Sequence, residues 1–429
     1  MNRLSIKKTG EVVYYEKLAS GLEVYLLPNN KVKNFYMTLN TKFGAIHTDF
    51  KWQGVNYHLP KGVAHFLEHL SFNMPGDNNV FDYFAKLGSS INAYTSYEVT
   101  SYEVYANSKF KENLSTLLNY VYTPYYTKEL VNGEKGIITE EIKMIKDSPN
   151  SEIVYGMYRN VFVKDERQYL ISGNAEDVKK TTLEDIETAY NAFYHPANMF
   201  LIITGNFLPE EALAITTEQL KKFDFPAYSK PILKEQKEPF KVSKAYEEKP
   251  MPVDRPKVVV GFKIPRNNFK ALKLSPLELR LYINLIMRIN FGETSLLKEE
   301  LVSNAIITDS VSMYLTETEE YLVEAFMAST DYPDYFIKKI ENQFQALTTT
   351  KDEVARKAKS AISSLIMSFD DIETVSYDIQ DDIINYGKYD TDIYTHYRDL
   401  NEETAKKVID CLGKYLTSIT VLKPKEENK

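Results

Sequence analysis

Between residues 10 and 27 apolar and polar positions alternate on both sides of Gly21, the pattern of two strands joined by a turn. Alternation returns over 35–43 and predicts a further strand. Over 62–72 the period changes: Val63, Phe66, Leu67 and Leu70 recur at helical intervals. A short helix is expected over 80–87, closed by Gly88. The stretch 91–106, rich in Tyr, Val and Thr, reads as another strand pair. Helices are expected over 110–122, 128–145, 182–193 and 209–223, the third capped by Thr181 or Thr182. The apolar run 199–204 is of buried-strand type and stops at Gly205.

The pattern then breaks. Pro226, Pro231, Pro239, Pro250, Pro252 and Pro256 mark a stretch dense in Lys and Glu, read as a linker with little structure of its own. After it the order of elements restarts. A strand over 257–264 is followed by helices over 279–291 and 296–302 and strands over 310–315 and 321–327. Helices over 335–347, 352–370 and 405–416 and a strand over 418–422 close the chain. The repeat lies in element order alone, without a residue-level match. The expected fold is α+β, with two related domains, each a mostly antiparallel sheet covered by helices. Their expected limits are 1–225 and 251–429, joined by a linker over 226–250.

Composition narrows the classes. The 429 residues include 52 basic and 60 acidic ones, a net charge of −8 with both signs mixed. No basic block offers a footprint for nucleic acid. No apolar run approaches bilayer length, so no membrane association is expected. The first residues, Met1 to Lys8, lack the apolar core of a secretory signal. The single cysteine, Cys411, excludes an intrachain disulfide and is consistent with a cytoplasmic home.

The chemistry concentrates in His65-Phe66-Leu67-Glu68-His69. On a helix, positions i and i+4 lie one above the other, so one metal ion is within reach of both imidazoles. Glu68 projects from the same side and is placed to act as a general base without being a ligand. Composition alone would produce this motif roughly 0.01 times in such a chain. A zinc site of this kind needs a third protein ligand. Glu134 and Glu141 lie two helical turns apart on one face with Ile138, while Glu140 points elsewhere. One of that pair would bind the metal and the other would orient a histidine.

Further stretches carry a family likeness: Ser20-Gly21-Leu22-Glu23-Val24, Ile91-Asn92-Ala93-Tyr94-Thr95, and Tyr194-His195-Pro196-Ala197-Asn198-Met199 leading to Thr204-Gly205. Together with the two acidic and histidine motifs they resemble the pitrilysin/insulinase family of inverzincin metallopeptidases, in its bacterial branch of processing-peptidase size. The likeness covers 18–207; the second half matches in layout around Ser295-Leu296-Leu297-Lys298-Glu299-Glu300-Leu301. The resemblance implies Zn2+ held by His65, His69 and Glu141. It places Glu134 beside Glu68 in the catalytic machinery, as an acidic residue behind the ligands. It puts Asn92, Ala93 and Tyr94 on an edge strand beside the zinc, where a peptide substrate adds as an extra strand. His195, in a helix-to-strand connection, is read as structural.

The sequence also departs from the family. Members of this size carry an Arg and a Tyr in the second half that hold substrate near the zinc; here Val302 and Asp309 stand at those positions. An ionised Asp donates no hydrogen bond to a substrate carbonyl. The expectation is therefore a zinc endopeptidase acting on unfolded peptides in an enclosed chamber. A homologous partner subunit without zinc would form a heterodimer with it and supply the missing pair. The competing reading is a non-catalytic homologue serving as a structural or binding subunit. Loss of the Arg/Tyr pair favours that reading, and the intact zinc set opposes it.

Overall fold

The structure is a computed structural model and describes residues 1–76, 78–234 and 236–425. Position 77 of the first expected domain, position 235 of the linker and positions 426–429 of the second domain lie outside the described residues. The chain opens with β1 (Asn2–Ser5), β2 (Val12–Lys17), β3 (Glu23–Pro28) and β4 (Phe35–Thr41), then the hairpin β5 (Asp49–Trp52) and β6 (Val55–His58). Helix α1 (Val63–Leu70), the short pair β7 (Asn73–Met74) and β8 (Asn78–Asn79), and α2 (Val80–Leu87) lead to the hairpin β9 (Ser90–Thr95) and β10 (Thr100–Ala106). Helices α3 (Phe110–Tyr122), α4 (Lys128–Asp147), α5 (Pro149–Val161), α6 (Ala175–Lys180) and α7 (Leu183–Phe193) precede β11 (Met199–Gly205) and α8 (Pro209–Leu220). Next come β12 (Ile232–Leu233), β13 (Tyr246–Met251), β14 (Lys257–Pro265), α9 (Pro276–Asn290), α10 (Leu296–Ser303), β15 (Ser312–Glu317) and β16 (Tyr321–Ser329). The chain closes with α11 (Pro333–Gln345), α12 (Lys351–Ser368), α13 (Ile372–Tyr386), α14 (Ile393–Arg398), α15 (Glu402–Cys411) and β17 (Leu416–Pro424).

Two compact units result. The first comprises 1–142, 170–235 and 365–394, and the second 143–169, 236–364 and 395–429. Division at the proline-rich stretch alone therefore leaves two pieces on the other side. The stretch 143–169, with α5, joins the second unit, and 365–394, with α13, joins the first. The proline-rich stretch is not bare either, since it contributes β12 to the edge of the β5–β6 hairpin and β13 to the second sheet.

The first unit is built on a seven-stranded sheet of order β1-β2-β3-β11-β4-β10-β9. Its one parallel pair is β3 with β11, and every other neighbour is antiparallel. Strand alternation sends Val24 and Leu26 to one face and Tyr25 and Leu27 to the other. On the first face they meet Phe66 and Leu67 of α1, Leu117 of α3, Ile138 of α4 and Ile186 of α7. On the second face α13 presents Val375, Ile379 and Ile383. Burial on both faces explains the unbroken apolar run of β11.

The second unit has a five-stranded sheet of order β13-β17-β14-β16-β15. The order and directions reproduce β3-β11-β4-β10-β9, including the single parallel pair, β13 with β17. Val258, Val260 and Phe262 pack with Ile283 and Ile286 of α9, Phe336 and Ile340 of α11 and Val408 of α15. Val259, Val323 and Ala325 face Ile153, Met157 and Val161 of α5. Two α+β domains, each a mostly antiparallel sheet covered by helices, are thus present as expected.

Candidate metal centre

Helix α1 begins where two backbones cross. Gly62, its N-terminal flank, has φ 85°, and a Cβ there would fall 2.2 Å from the Ser172 carbonyl oxygen. Gly173, φ 75°, meets the Lys61 carbonyl oxygen at the same 2.2 Å. Both the left-handed backbone and the close approach require glycine. Val63, Ala64, Phe66, Leu67 and Leu70 enter the core and fix the helix rotation. His65 and His69 are left on the half-buried side, their ring centroids 4.5 Å apart.

Helix α4 supplies the facing acids. Val131, Ile138 and Ile142 anchor it in the core. Glu141 Oε1 lies 3.4 Å from His65 Nε2, and its Oε2 lies 3.4 Å from His69 Nε2. One ligand atom from each of the three side chains lies within 4.8 Å of the others. Ligands about 2.1 Å from a tetrahedral zinc stand roughly 3.4 Å apart, so both the donor chemistry and its spacing fit that ion. Glu140, next to Glu141, is exposed.

Glu134 comes in behind His69. Its Oε1 is 2.8 Å from His69 Nδ1, an arrangement that puts the proton on Nδ1 and leaves Nε2 free to donate its lone pair. Burial opposes protonation of His69, but the hydrogen bonds to Glu134 and Glu141 outweigh it and push its pKa up to about 9. Hydrogen bonds from His65 and His69 hold the Glu141 carboxyl well below the usual range. The cluster thus favours positive charge at its centre. His65 Nδ1 is buried and finds no partner among the described residues.

Glu68 is 7% exposed, and its Oε2 accepts a hydrogen bond of 2.6 Å from Thr95 Oγ1 at the end of β9. No chemical motif in the sequence marks Thr95; its place directly after Asn92-Ala93-Tyr94 is the signal that points to it. Below the helix, Ser71 Oγ donates to the Leu67 carbonyl and meets Tyr102 Oη at 3.0 Å, which in turn meets Tyr194 Oη at 2.7 Å. This buried chain braces the last turn of α1 from the sheet side.

Asn92, Ala93 and Tyr94 lie on β9, the edge strand of the first sheet. Among the described residues no strand pairs with its outer side. Ala93 packs toward α1, whereas Tyr94 faces α13, its Oη accepting from Gln380 Nε2. His195 is structural: its Nδ1 accepts from the Ala197 N–H at 3.0 Å and its Nε2 sits 2.9 Å from the Pro226 carbonyl oxygen. In the second unit Val302 and Asp309 are both exposed. Among the described residues no helix is long and apolar enough to cross a membrane.

Residues 57–168 match the insulinase domain of peptidase family M16, and 180–361 match the domain described as the M16 inactive domain. The uncharacterized zinc protease YmfH of Bacillus subtilis is 35% identical over 358 residues, covering 81% of this chain and 82% of its own. The crystal structure of an M16-like peptidase from Alicyclobacillus acidocaldarius superposes with a TM-score of 0.90 at 23% identity, covering 97% of this chain and 99% of that one. A protease from Helicobacter pylori gives a TM-score of 0.79 at 18% identity, covering 96% and 99%. At these identities the two structures speak for the fold.

Proposed function

Because the chain belongs to the insulinase family of peptidases, M16, we propose that it is a zinc-dependent endopeptidase of unfolded peptides. The observation that carries this reading is the pairing of a three-residue donor set, His65, His69 and Glu141, with a buried carboxylate, Glu68, held beside it. Zinc bound there would supply Lewis acidity to polarise a scissile carbonyl. Glu68 would take a proton from the attacking water and deliver it to the leaving amine. Thr95 occupies one Glu68 oxygen and leaves the other to carry that proton. Glu134 keeps His69 in the tautomer that offers Nε2. The open edge of β9 at Asn92, Ala93 and Tyr94 would hold the peptide by backbone hydrogen bonds.

A homologous partner subunit without zinc belongs to the same proposal. It would supply the Arg/Tyr pair and complete an enclosed chamber. Its support is that Val302 and Asp309 offer neither residue. The cytoplasm is the proposed compartment, supported by the single cysteine. A second reading, a structural or binding subunit, draws on the match of 180–361 to a domain described as inactive. The complete donor set beside Glu68 favours the first reading.

Two measurements test it together. Elemental analysis should find about one zinc per chain, and none in a His65→Ala/His69→Ala variant. The zinc-loaded protein should cleave an unstructured peptide mixture, alone or with its partner, and Glu68→Gln should retain zinc but lose turnover. A Glu68→Gln enzyme as active as the parent would remove Glu68 from the mechanism. A chain that takes up no zinc would bring the scaffold reading forward.

A further inference from the structure

The duplicated element order gives the metal centre a counterpart in the second unit. Leu279, Tyr282, Ile283 and Ile286 of α9 enter the second core at the intervals at which Val63, Phe66, Leu67 and Leu70 of α1 enter the first. That register puts Leu281, Asn284 and Leu285 at the places of His65, Glu68 and His69. Helix α12 follows α11 as α4 follows α3. Val354 anchors α12 in its core as Val131 anchors α4, and Lys357 then takes the place of Glu134. These positions still meet. Leu281, Asn284, Leu285 and Arg288 of α9 and Lys357 and Ala361 of α12 line one cavity of about 40 Å³.

The chemistry of the counterpart is inverted. Leucines replace both imidazoles, an amide replaces Glu68, and a cation replaces Glu134. Among the described residues no Asp or Glu lines the cavity, and no carboxylate forms an ion pair with Arg288 or Lys357. Lys357 Nζ meets a hydroxyl, Thr294 Oγ1, at 3.0 Å. Burial and the charges of Arg356 and Arg288 hold its ammonium below the usual lysine range, against a smaller opposite pull from Glu353. Like charges brought together disfavour each other, and an anion beside both relieves that cost. The Arg288 guanidinium offers a planar fork of donors and Lys357 a point charge. The half-buried Asn284 amide has no hydrogen bond among the described residues and adds further donors. The cavity has room for about three water-sized groups, the size of one carboxylate. Leu281, Leu285 and Leu400 supply apolar wall for the carbon next to it. We propose that the second unit has turned its counterpart of the metal centre into a binding site for a carboxylate, free or at the C-terminus of a peptide.

The test is a binding experiment on the full chain carrying Glu68→Gln, with zinc added. Two labelled, unstructured hexapeptides ending in leucine differ in the C-terminus alone, a free carboxylate in one and an amide in the other. The acid should bind roughly tenfold more tightly, the usual size of a charge-assisted hydrogen bond. Arg288→Gln/Lys357→Gln should abolish that preference and leave the amide's affinity unchanged. Ala361→Leu fills the cavity without touching either charge. It should weaken the acid alone, which keeps the test decisive if the double variant folds poorly. N-acetyl-leucine separates the two sources of carboxylate. Binding of it that the double variant loses assigns the site to free carboxylates as well, whereas an acid preference without it assigns the site to peptide ends. Equal affinity for acid and amide, with no such binding of N-acetyl-leucine, would overturn the site. An acid preference that survives in the double variant would overturn it too. No outcome is read from turnover, so this site and the peptidase reading fail separately.

Discussion

Thr95, at the end of the edge strand β9, donates a 2.6 Å hydrogen bond to Oε2 of Glu68 on α1. Both side chains are buried. The bond ties the strand proposed to receive substrate to the carboxylate proposed to move the proton. A peptide docked on β9 would thus lie along the same strand that positions Glu68.

Thr95→Val should lower kcat by about tenfold to a hundredfold, the range for a lost hydrogen bond to a charged group. Zinc content should stay at the parent level. Thr95→Ser, which keeps the hydroxyl, should restore most of the rate. Steady-state kinetics beside elemental analysis decides this, and loss of zinc in Thr95→Val would assign Thr95 to folding instead.

Glu134 meets the donor set through His69 Nδ1. Glu134→Gln should weaken zinc affinity by about 10- to 100-fold, the usual cost of removing the carboxylate behind a metal-binding imidazole. Competition with a chelator of known affinity measures it. An unchanged zinc affinity would leave Glu134 without the orienting role that its 2.8 Å approach to His69 Nδ1 implies.

Gly62→Ala should destabilise the protein by more than the ~1 kcal/mol expected of an alanine at positive φ alone. Its Cβ would sit 2.2 Å from the Ser172 carbonyl oxygen, and the start of α1 would have to move. Zinc affinity should fall with it. Gly10→Ala is the control: φ is 84° there too, but nothing lies within 4 Å of its Cβ. Equal melting temperatures for the two variants would show that the crossing tolerates a methyl group.

Glu324 is 2% exposed on β16, and its Oε2 has no partner among the described residues. Burial pushes its pKa well above the ordinary carboxylate value. The folded state therefore keeps a proton that the unfolded chain releases above about pH 4.3. The stability that this group contributes is fully present below that pH and is lost as pH rises toward the raised folded value, by up to about 1.4 kcal/mol per pH unit for this one proton. Glu324→Gln should flatten that decline above about pH 4.3, read by denaturant melts at a series of pH values. Parallel declines in parent and variant would show that Glu324 is ionised in the fold.

Most strands of the two large sheets and most helices are legible because their patterns are local, whereas β1, β13 and the β12-β5-β6 sheet are not. The expected helix over 110–122 matches α3, and Thr182 caps α7 with Asp185 returning the bond. Helices α5 and α13 were not read, although each carries a signal. Ile372, Val375, Ile379 and Ile383 form an apolar stripe at helical spacing. Pro149 sits in the first turn of α5, ahead of Ile153, Met157 and Val161. Even a correct reading of both would have misplaced them. An amphipathic stripe states that a face must be buried and is silent about which sheet buries it. Each of these helices covers the sheet built mainly from the other half of the sequence.

The same boundary runs through the metal centre. By itself the sequence determined that His65 and His69 share a helix face and that Glu134 and Glu141 share another, because 3.6 residues per turn is a property of the backbone wherever the helix lies. It determined the duplicated order of elements through the restart after the proline-rich stretch. Only the tertiary structure decided that the two helix faces meet at 3.4 Å, that Glu134 stands behind His69, and that Thr95 holds Glu68. Those contacts join residues far apart in the chain, and packing of whole layers against a common core brings them together. No local period encodes that.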